Sequence, residues 1–195
     1  AMFFLSSAIV TNSKSTIKRI PIDYLSLELF KLKEMGFVYK IKKSYLGENG
    51  FTNLVDLETF PSNMVALKEK IHPLPYPGIN IDNLPFFAVI ATQAEGETLI
   101  HDWVFEKRAI YYTELEKLGA TVVLADPHRV FIRGKSKLQA NEIVTPPALR
   151  PAAIILIAML GAEGTSILRN VYSINRGYED LSNRLRNLGA KINVF

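Results

Sequence analysis

The stretch AEGTSIL at residues 162–168 repeats, with little change, the stretch AEGETLI at residues 94–100. Two further landmarks return at nearly the same spacing. Arg108 and Arg176 are 68 residues apart, as are the two AEG turns, and KLGATVVL at 117–124 is answered 70 residues later by NLGAKINV. Three landmarks in one register indicate an internal repeat, because a chance pair of similar turns would not preserve the spacing of the others.

Each copy has the same order of elements: an apolar run, the AEG turn, a β-branched strand, an amphipathic helix, the LGA turn and a second strand. A weaker first copy opens the chain, with an apolar run, a strand, a helix and a strand at 3–10, 15–20, 23–36 and 37–41. The segment 45–76 is then an insertion, whose GENGF sequence predicts a hairpin. We therefore predict one domain over residues 1–195, built of three units at about 3–80, 82–135 and 148–195.

The helices of each unit are of two kinds. The run at 149–161 is apolar on every side, and the run at 84–94 is nearly so, which predicts enclosed helices. The other helices carry one apolar stripe each, formed by Leu181, Leu185 and Leu188 in the last unit and by Ile110, Leu115 and Leu118 in the middle one. We expect an α/β fold with central helices inside and strands packed against them, the helix at 149–161 being the most buried.

Composition limits the classes of function. The chain has 195 residues and no cysteine, which excludes disulfides, thiolate metal sites and a cysteine nucleophile within it. Its three histidines are scattered without ligand spacing, so we predict neither a metal nor a cofactor. The longest apolar run is about half of the roughly 18 residues that a membrane helix needs, and the start lacks the basic lead-in of a signal peptide. We expect a cytoplasmic protein that does not bind a membrane.

The segments 75–120 and 148–192 resemble the enolpyruvyl transferase family, and are most similar to its members that act on UDP-N-acetylglucosamine. The resemblance implies a pseudo-threefold domain of inverted βαβαββ units with buried central helices, a fold shared with RNA phosphate cyclases. Enzymes of this family have two such domains. This chain corresponds to one of them, the C-terminal one, and the other lies outside the sequence.

The resemblance also implies a reaction. The enolpyruvyl group of phosphoenolpyruvate moves to the 3-hydroxyl of UDP-N-acetylglucosamine with loss of phosphate, as a step of peptidoglycan synthesis. The site lies between two domains that close over both substrates. The partners expected for this chain are therefore the two substrates and the N-terminal domain, and the chain alone is expected to be inactive.

Asp82 matches the family aspartate that faces the sugar hydroxyl, which makes it the candidate catalytic residue. From the sequence alone it could equally be a helix N-cap. The segment VFEKR matches the part that touches the sugar nucleotide: Val104 and Phe105 would pack on the ligand, while Glu106 and Arg108 would order the site. The alternatives are that Phe105 is core and that Glu106 is merely solvated.

Arg150 and Arg176 match arginines that bind the phosphoenolpyruvate end. We expect each to lie beside the start of a helix, where the helix dipole disfavours a cation and an anionic ligand would reverse the sign. We further expect both to face one cleft. The alternative is that they are ordinary exposed arginines.

Three positions depart from the family pattern. Ala148 and Asn175 stand where the family has acidic residues, and Ile81 stands where it has a hydroxyl residue. These departures leave open a non-catalytic relative that binds a sugar nucleotide or a partner protein. A nucleic-acid binding module is a third possibility, suggested only by the lysines of KLKEMGFVYKIKK, at 31, 33, 40, 42 and 43.

Overall fold

Short strands and helices alternate along the whole chain. The computed structural model describes residues 1–195. Besides 3₁₀ helices at Ile22–Tyr24 and Arg108–Leu118, the elements are α1 (Met2–Val10), β1 (Ser15–Pro21), α2 (Ser26–Glu34), β2 (Tyr39–Leu46), β3 (Asn53–Thr59), α3 (Leu84–Ala91), β4 (Gly96–His101), β5 (Thr121–Asp126), β6 (Arg129–Gly134), β7 (Glu142–Val144), α4 (Leu149–Gly161), β8 (Ile167–Arg169), α5 (Tyr172–Asn175) and α6 (Leu181–Asn187).

Three apolar helices, α1, α3 and α4, form the centre of the molecule and contact one another. All eight residues of α3 are buried, since α1, α4, β4 and β6 surround it. The prediction that the helix at 149–161 is the most buried is therefore wrong. Residues 159–161, at the C-terminal end of α4, are only partly covered, because Met159 and Leu160 line an open recess. The predicted arrangement of enclosed central helices is otherwise confirmed.

Two antiparallel sheets of identical topology pack against these helices. Their strand orders are β1-β3-β2 and β4-β6-β5, so the third strand of each unit lies in the middle. Leu57 and Ile132 occupy the centres of the two sheets and are fully buried. The hairpin predicted from GENGF joins β2 to β3. The third unit differs, because its only strand pair is the parallel pair β7-β8.

The two AEG turns have the same local structure. Gly96 and Gly164 both have positive φ, +107° and +97°, a region that side chains with a Cβ rarely adopt. A Cβ added to either glycine would stand 3.2 Å from the Cβ of Ala66 or 3.0 Å from that of Ala140. The repeat found in the sequence thus corresponds to a repeated backbone geometry.

The segment before each buried helix pairs in parallel with the strand after it. Val65 and Ile71 bridge to Glu95 and Ile100 around α3, as β7 pairs with β8 around α4. In both cases the connection between the parallel segments is long enough to contain the helix, as parallel pairing requires. The unit boundaries at 82 and 148 stay a prediction.

The segment Arg108–Leu118 is a 3₁₀ helix instead of the predicted amphipathic α-helix. Its three residues per turn place every third residue on one face, and its buried apolar residues are Ala109, Tyr112, Leu115 and Leu118. Ile110, predicted for the buried stripe, is off that face and 37% exposed. The run of β-branched and aromatic residues at 110–113 has a low α-helical propensity, which favours the tighter winding.

The end of the chain also differs from the prediction. Leu181 and Leu185 are buried as expected, but Leu188 follows the end of α6 and is 61% exposed. The predicted strand at 190–194 is irregular. A strand is stabilised by pairing with a neighbour, and no strand pairs with this segment.

None of the helices combines the length and the apolar character that crossing a membrane requires.

Candidate functional site

Asp82 lies in the turn before α3, and its side chain is 54% exposed. The N-cap of α3 is Asn83, and the helix has no side-chain capping hydrogen bond. The interpretation of Asp82 as an N-cap is therefore wrong. Its backbone N–H donates to Oδ1 of Asn80 at 2.8 Å, which fixes the turn and leaves the carboxylate of Asp82 available.

Arg150 lies opposite Asp82, at the second residue of α4, as predicted from the sequence. Its Nε is 3.9 Å from Oδ1 of Asp82, which is ion-pair distance but too long for a hydrogen bond. Its other end donates from Nη1 to the hydroxyl of Tyr178 at 2.9 Å. The Nε is buried and has no hydrogen-bond partner, so this guanidinium retains an unused donor.

Tyr178 completes this group. Burial raises the pKa of the Tyr178 hydroxyl above its usual value, the charge of Asp82 raises it further, and Arg150 opposes both. The hydroxyl is therefore protonated at neutral pH. It accepts from Arg150 while its own proton stays available for donation.

The prediction that Arg176 lies beside the start of a helix is wrong. Arg176 lies just after the end of α5. Its backbone N–H donates to the carbonyl oxygen of Tyr172, whose ring lies 6.0 Å from the guanidinium carbon. A small recess of about 120 Å³ is lined by Arg176 together with Pro147, Leu149 and Ser173. Arg150 and Arg176 are thus both near the N-terminal end of α4. That they face one cleft stays a prediction.

Arg108 is buried, in contrast to Arg176. It forms a bidentate ion pair with Asp102, from Nε to Oδ2 at 2.5 Å and from Nη2 to Oδ1 at 2.9 Å. The same Nη2 donates to the carbonyl oxygen of Ile81 at 2.9 Å, beside Asp82. Arg108 therefore ties the 102–108 loop to the turn that carries Asp82, which suits the ordering role predicted for it.

Phe105 is not core, because it is 46% exposed. Its ring lies against the guanidinium of Arg108, with the centroid 4.4 Å from the guanidinium carbon. Val104 is 47% exposed, and Glu106 is exposed as well. These three residues form an exposed ridge over the buried ion pair, with two apolar side chains free to cover a ligand.

Sequence reasoning missed three buried side chains: Asp102, which binds Arg108, Tyr112, which binds Asp102, and Glu28, which binds the Asp82 turn. Asp102 is fully buried and accepts a hydrogen bond from the hydroxyl of Tyr112 at 2.5 Å. Burial, and then the charge of Asp102, raise the pKa of Tyr112 well above its usual value. Glu28 is also buried and contacts Asn80 and Asn83. An aspartate six residues before Arg108 was a visible signal for the first pair, whereas Glu28 is too distant in sequence to be found.

The three departures from the family pattern have distinct surroundings. Ala148 is the N-cap of α4 and offers no side-chain acceptor there. Asn175 is the last residue of α5. Ile81 is half-buried, and its carbonyl oxygen is the one that Arg108 binds.

Two of the lysines that suggested nucleic-acid binding form ion pairs. Lys31 pairs with Glu69, and Lys42 lies 3.4 Å from Glu58. Both contacts neutralise part of the positive charge locally, which weakens the electrostatic case for a nucleic-acid surface.

A recess of about 960 Å³ lies elsewhere on the molecule. It is formed by α1, β1, the C-terminal end of α4 and residues 184–191, and no predicted site residue lines it. Asp82 and Arg150 therefore lie outside this recess, and that Phe105 shares one surface with them stays a prediction.

Asp82 and Arg150 thus place a carboxylate opposite a guanidinium, on a domain of buried central helices and antiparallel sheets. The model of the EPSP synthase (3-phosphoshikimate 1-carboxyvinyltransferase) family matches residues 1–185. This chain belongs to that family, the enolpyruvyl transferases.

Curated proteins of similar sequence are also named as carboxyvinyltransferases. The chain is 35% identical over 195 residues to UDP-N-acetylglucosamine 1-carboxyvinyltransferase of Porphyromonas gingivalis, covering 97% of this chain and 43% of that protein. It is 46% identical over 123 residues to the enzyme of the same name from Borrelia garinii subsp. bavariensis, covering 63% of this chain and 29% of that protein. The chain thus spans less than half the length of these relatives.

Solved structures confirm the fold class. The enolpyruvyl transferase NikO from Streptomyces tendae superposes with a TM-score of 0.76 at 26% identity, covering 98% of this chain and 43% of NikO. EPSP synthase from Acinetobacter baumannii superposes with a TM-score of 0.74 at 18% identity, covering 94% of this chain and 44% of that one. At that identity the second likeness shows the fold alone.

Proposed function

We propose that this chain is the C-terminal domain of a UDP-N-acetylglucosamine 1-carboxyvinyltransferase, in which Asp82 is the catalytic residue. The observation that carries the proposal is the state of Asp82: an exposed carboxylate, unused by helix capping and opposed by Arg150 at 3.9 Å. The name rests on the relative from Porphyromonas gingivalis, which matches 97% of this chain.

In the proposed reaction the 3-hydroxyl of the sugar is joined to C2 of phosphoenolpyruvate, and phosphate leaves. Asp82 accepts the proton of that hydroxyl as the C–O bond forms. A carboxylate suits this task because its exposed oxygens can reach the substrate, while Arg150 holds it in place without a direct hydrogen bond. The methylene carbon gains a proton as the C–O bond forms and loses one as phosphate leaves, which restores the double bond, and the acid that supplies that proton belongs to the domain outside this chain.

Arg150 and Arg176 are proposed to bind the phosphate and carboxylate of phosphoenolpyruvate. A buried donor without a partner is costly, and the Nε of Arg150 is such a donor. An anion placed between Arg150 and the N-terminal end of α4 would satisfy it and interact favourably with the helix dipole. Arg176, beside the recess next to Leu149, is positioned to add a second positive charge.

The exposed ridge of Val104, Phe105 and Glu106 is proposed to contact the sugar nucleotide. Both apolar side chains are about half exposed, so a ligand could bury further apolar area there. Arg108, being buried against Asp102, would support the ridge from below. Peptidoglycan synthesis as the pathway and the cytoplasm as the compartment complete the proposal, on the family resemblance alone.

One observation favours a second candidate function. Ala148 is the N-cap of α4, next to the proposed anion site, and its methyl group can neither donate nor accept a proton. A protein with this residue could bind UDP-N-acetylglucosamine without transferring an enolpyruvyl group to it.

A chimera separates the two candidates. Residues 1–195 would replace the matching segment of the Porphyromonas gingivalis enzyme, and phosphate release would be measured with each substrate alone and with both. Release that requires both substrates supports the transferase. A chimera that melts cooperatively and binds UDP-N-acetylglucosamine, yet releases no phosphate, would instead establish the non-catalytic relative, and restoring an acid with Ala148→Asp would then be the matched variant.

A further inference from the structure

Glu28 is a buried carboxylate that neither the proposed reaction nor the ion pairs of the chain use. Only 2% of the residue is exposed. It lies in the first turn of α2, whose N-terminus lacks a side-chain cap. The positive end of that helix stabilises a negative charge there. A leucine at this core position would avoid the desolvation of a carboxylate, so the retained charge calls for a structural reason.

The partners of Glu28 lie on both sides of Asp82. One oxygen, Oε1, accepts the backbone N–H of Asn80 at 3.1 Å and Nδ2 of Asn83 at 2.8 Å. Asn80 in turn accepts the N–H of Asp82 through its own side chain at 2.8 Å. The two residues that Glu28 holds thus bracket Asp82, and one of them also fixes its backbone directly.

A second anchor holds the same turn. Arg108 binds the carbonyl oxygen of Ile81, while Glu28 binds a donor before and a donor after it. Neither anchor touches the carboxylate of Asp82. The turn is therefore restrained at three consecutive backbone positions, and the one side chain that remains free to meet a substrate is that of Asp82.

We propose that Glu28 is a positioning residue for Asp82, holding the turn 80–83 in the conformation in which that carboxylate can accept a proton. The inference rests on the proposed function for its catalytic consequence. Glu28 belongs to α2 in the first predicted unit, whereas Asp82 begins the second. The first unit would therefore support a site residue of the second. A carboxylate oxygen has two lone pairs, so a single oxygen can accept both hydrogen bonds.

The test compares Glu28→Leu with Glu28→Gln in the chimera described above. The glutamine carbonyl can still accept both hydrogen bonds, whereas leucine can accept neither. Glu28→Leu is expected to lower kcat roughly 10- to 100-fold, since a displacement of about 1 Å has effects of that size, with little change in the affinity for UDP-N-acetylglucosamine. Glu28→Gln should retain most of kcat. Glu34→Leu, an exposed residue of the same helix, is the matched control and should leave kcat unchanged.

Hydrogen exchange of the 195-residue chain tests the positioning role without requiring enzymatic activity. Its outcome is therefore independent of the proposed function. The amides of Asn80 and Asp82 should exchange faster in Glu28→Leu than in Glu28→Gln, whether or not the chimera transfers enolpyruvyl groups. Absence of transfer in the unmodified chimera would refute the proposed function alone. The positioning role is overturned if both variants exchange alike at these amides, or if they lower kcat equally.

Discussion

Replacing Arg108 by methionine should destabilise the chain strongly, because it leaves a buried carboxylate without its cation. The side chain of Arg108 is 7% exposed and that of Asp102 is not exposed at all. Removing one partner of such a buried pair costs about 3–5 kcal/mol, since the remaining charge stays desolvated. With a urea m-value of roughly 2 kcal/mol/M, the unfolding midpoint should fall by roughly 2 M.

The chain supplies a matched control for this prediction. Arg129 pairs with Asp126 in the same way, from Nε to Oδ2 at 2.6 Å, but the two side chains are 55% and 29% exposed. The Nε–Oδ2 contact is thus similar, but the Arg129 pair is more exposed and lacks the second contact that Nη2 of Arg108 makes with Oδ1 of Asp102. Exposed pairs contribute little because water screens them, so Arg129→Met should shift the midpoint far less than Arg108→Met.

Urea unfolding of both variants can be followed by the fluorescence of Trp103, the only tryptophan, which is next to Asp102 in the sequence. The double variant Asp102→Leu with Arg108→Met should recover much of the loss, because it removes both charges. Equal midpoint shifts for Arg108→Met and Arg129→Met would refute the reasoning from burial.

Three further predictions follow from the packing and the charges. Burial raises the pKa of Tyr112, so the folded chain keeps a proton that the unfolded chain loses above about pH 10. The free energy of unfolding should therefore fall with rising pH there, and Tyr112→Phe should reduce that slope by about 1.4 kcal/mol per pH unit in urea titrations. Gly161→Ala should cost about 1–3 kcal/mol in the same assay, because its Cβ would lie 2.7 Å from Cγ1 of Val10. Changing Arg150 and Arg176 together to alanine should abolish a weak, salt-sensitive binding of phosphate, measured by calorimetry, without unfolding the chain.

The sequence predicted those parts of the fold that depend on local pattern. Runs that are apolar on every side correctly indicated enclosed helices, and α3 and α4 are central. The repeated AEG turns correctly indicated equivalent backbone sites, because Gly96 and Gly164 both need positive φ. The winding of Arg108–Leu118 differs from the prediction because Ile110 was assigned to the buried stripe, whereas the buried apolar residues recur at every third position from Ala109 to Leu118.

Equivalent positions in the sequence repeat do not have equivalent surroundings in the structure. Arg108 and Arg176 are 68 residues apart, yet one is buried and the other exposed. The position 68 residues after Asp102 holds Asn170, which has no charge to hold a guanidinium. The sequence contained this difference, but only the packing of the 102–108 loop shows that Asp102 is the partner of Arg108.

The sequence indicated candidate site residues but not the buried residues that hold them in place. Asp82 and Arg150 were identified from family likeness, and they lie within 3.9 Å of each other. Glu28 joins Asn80 and Asn83 across more than 50 residues of sequence, a distance at which no local pattern carries information. Contacts between residues so far apart in sequence depend on how the whole core packs, so they can be identified only in the structure.

The proposed reaction depends most on Asp82 as the proton acceptor, and the activity of Asp82→Asn in the chimera tests this directly. Asparagine keeps the shape of the side chain and removes its ability to take a proton. The account predicts that kcat for enolpyruvyl transfer falls about 10²- to 10⁴-fold, the usual contribution of general base catalysis, while the Kd for UDP-N-acetylglucosamine changes little. A variant that transfers the enolpyruvyl group nearly as fast as the unmodified chimera would contradict it.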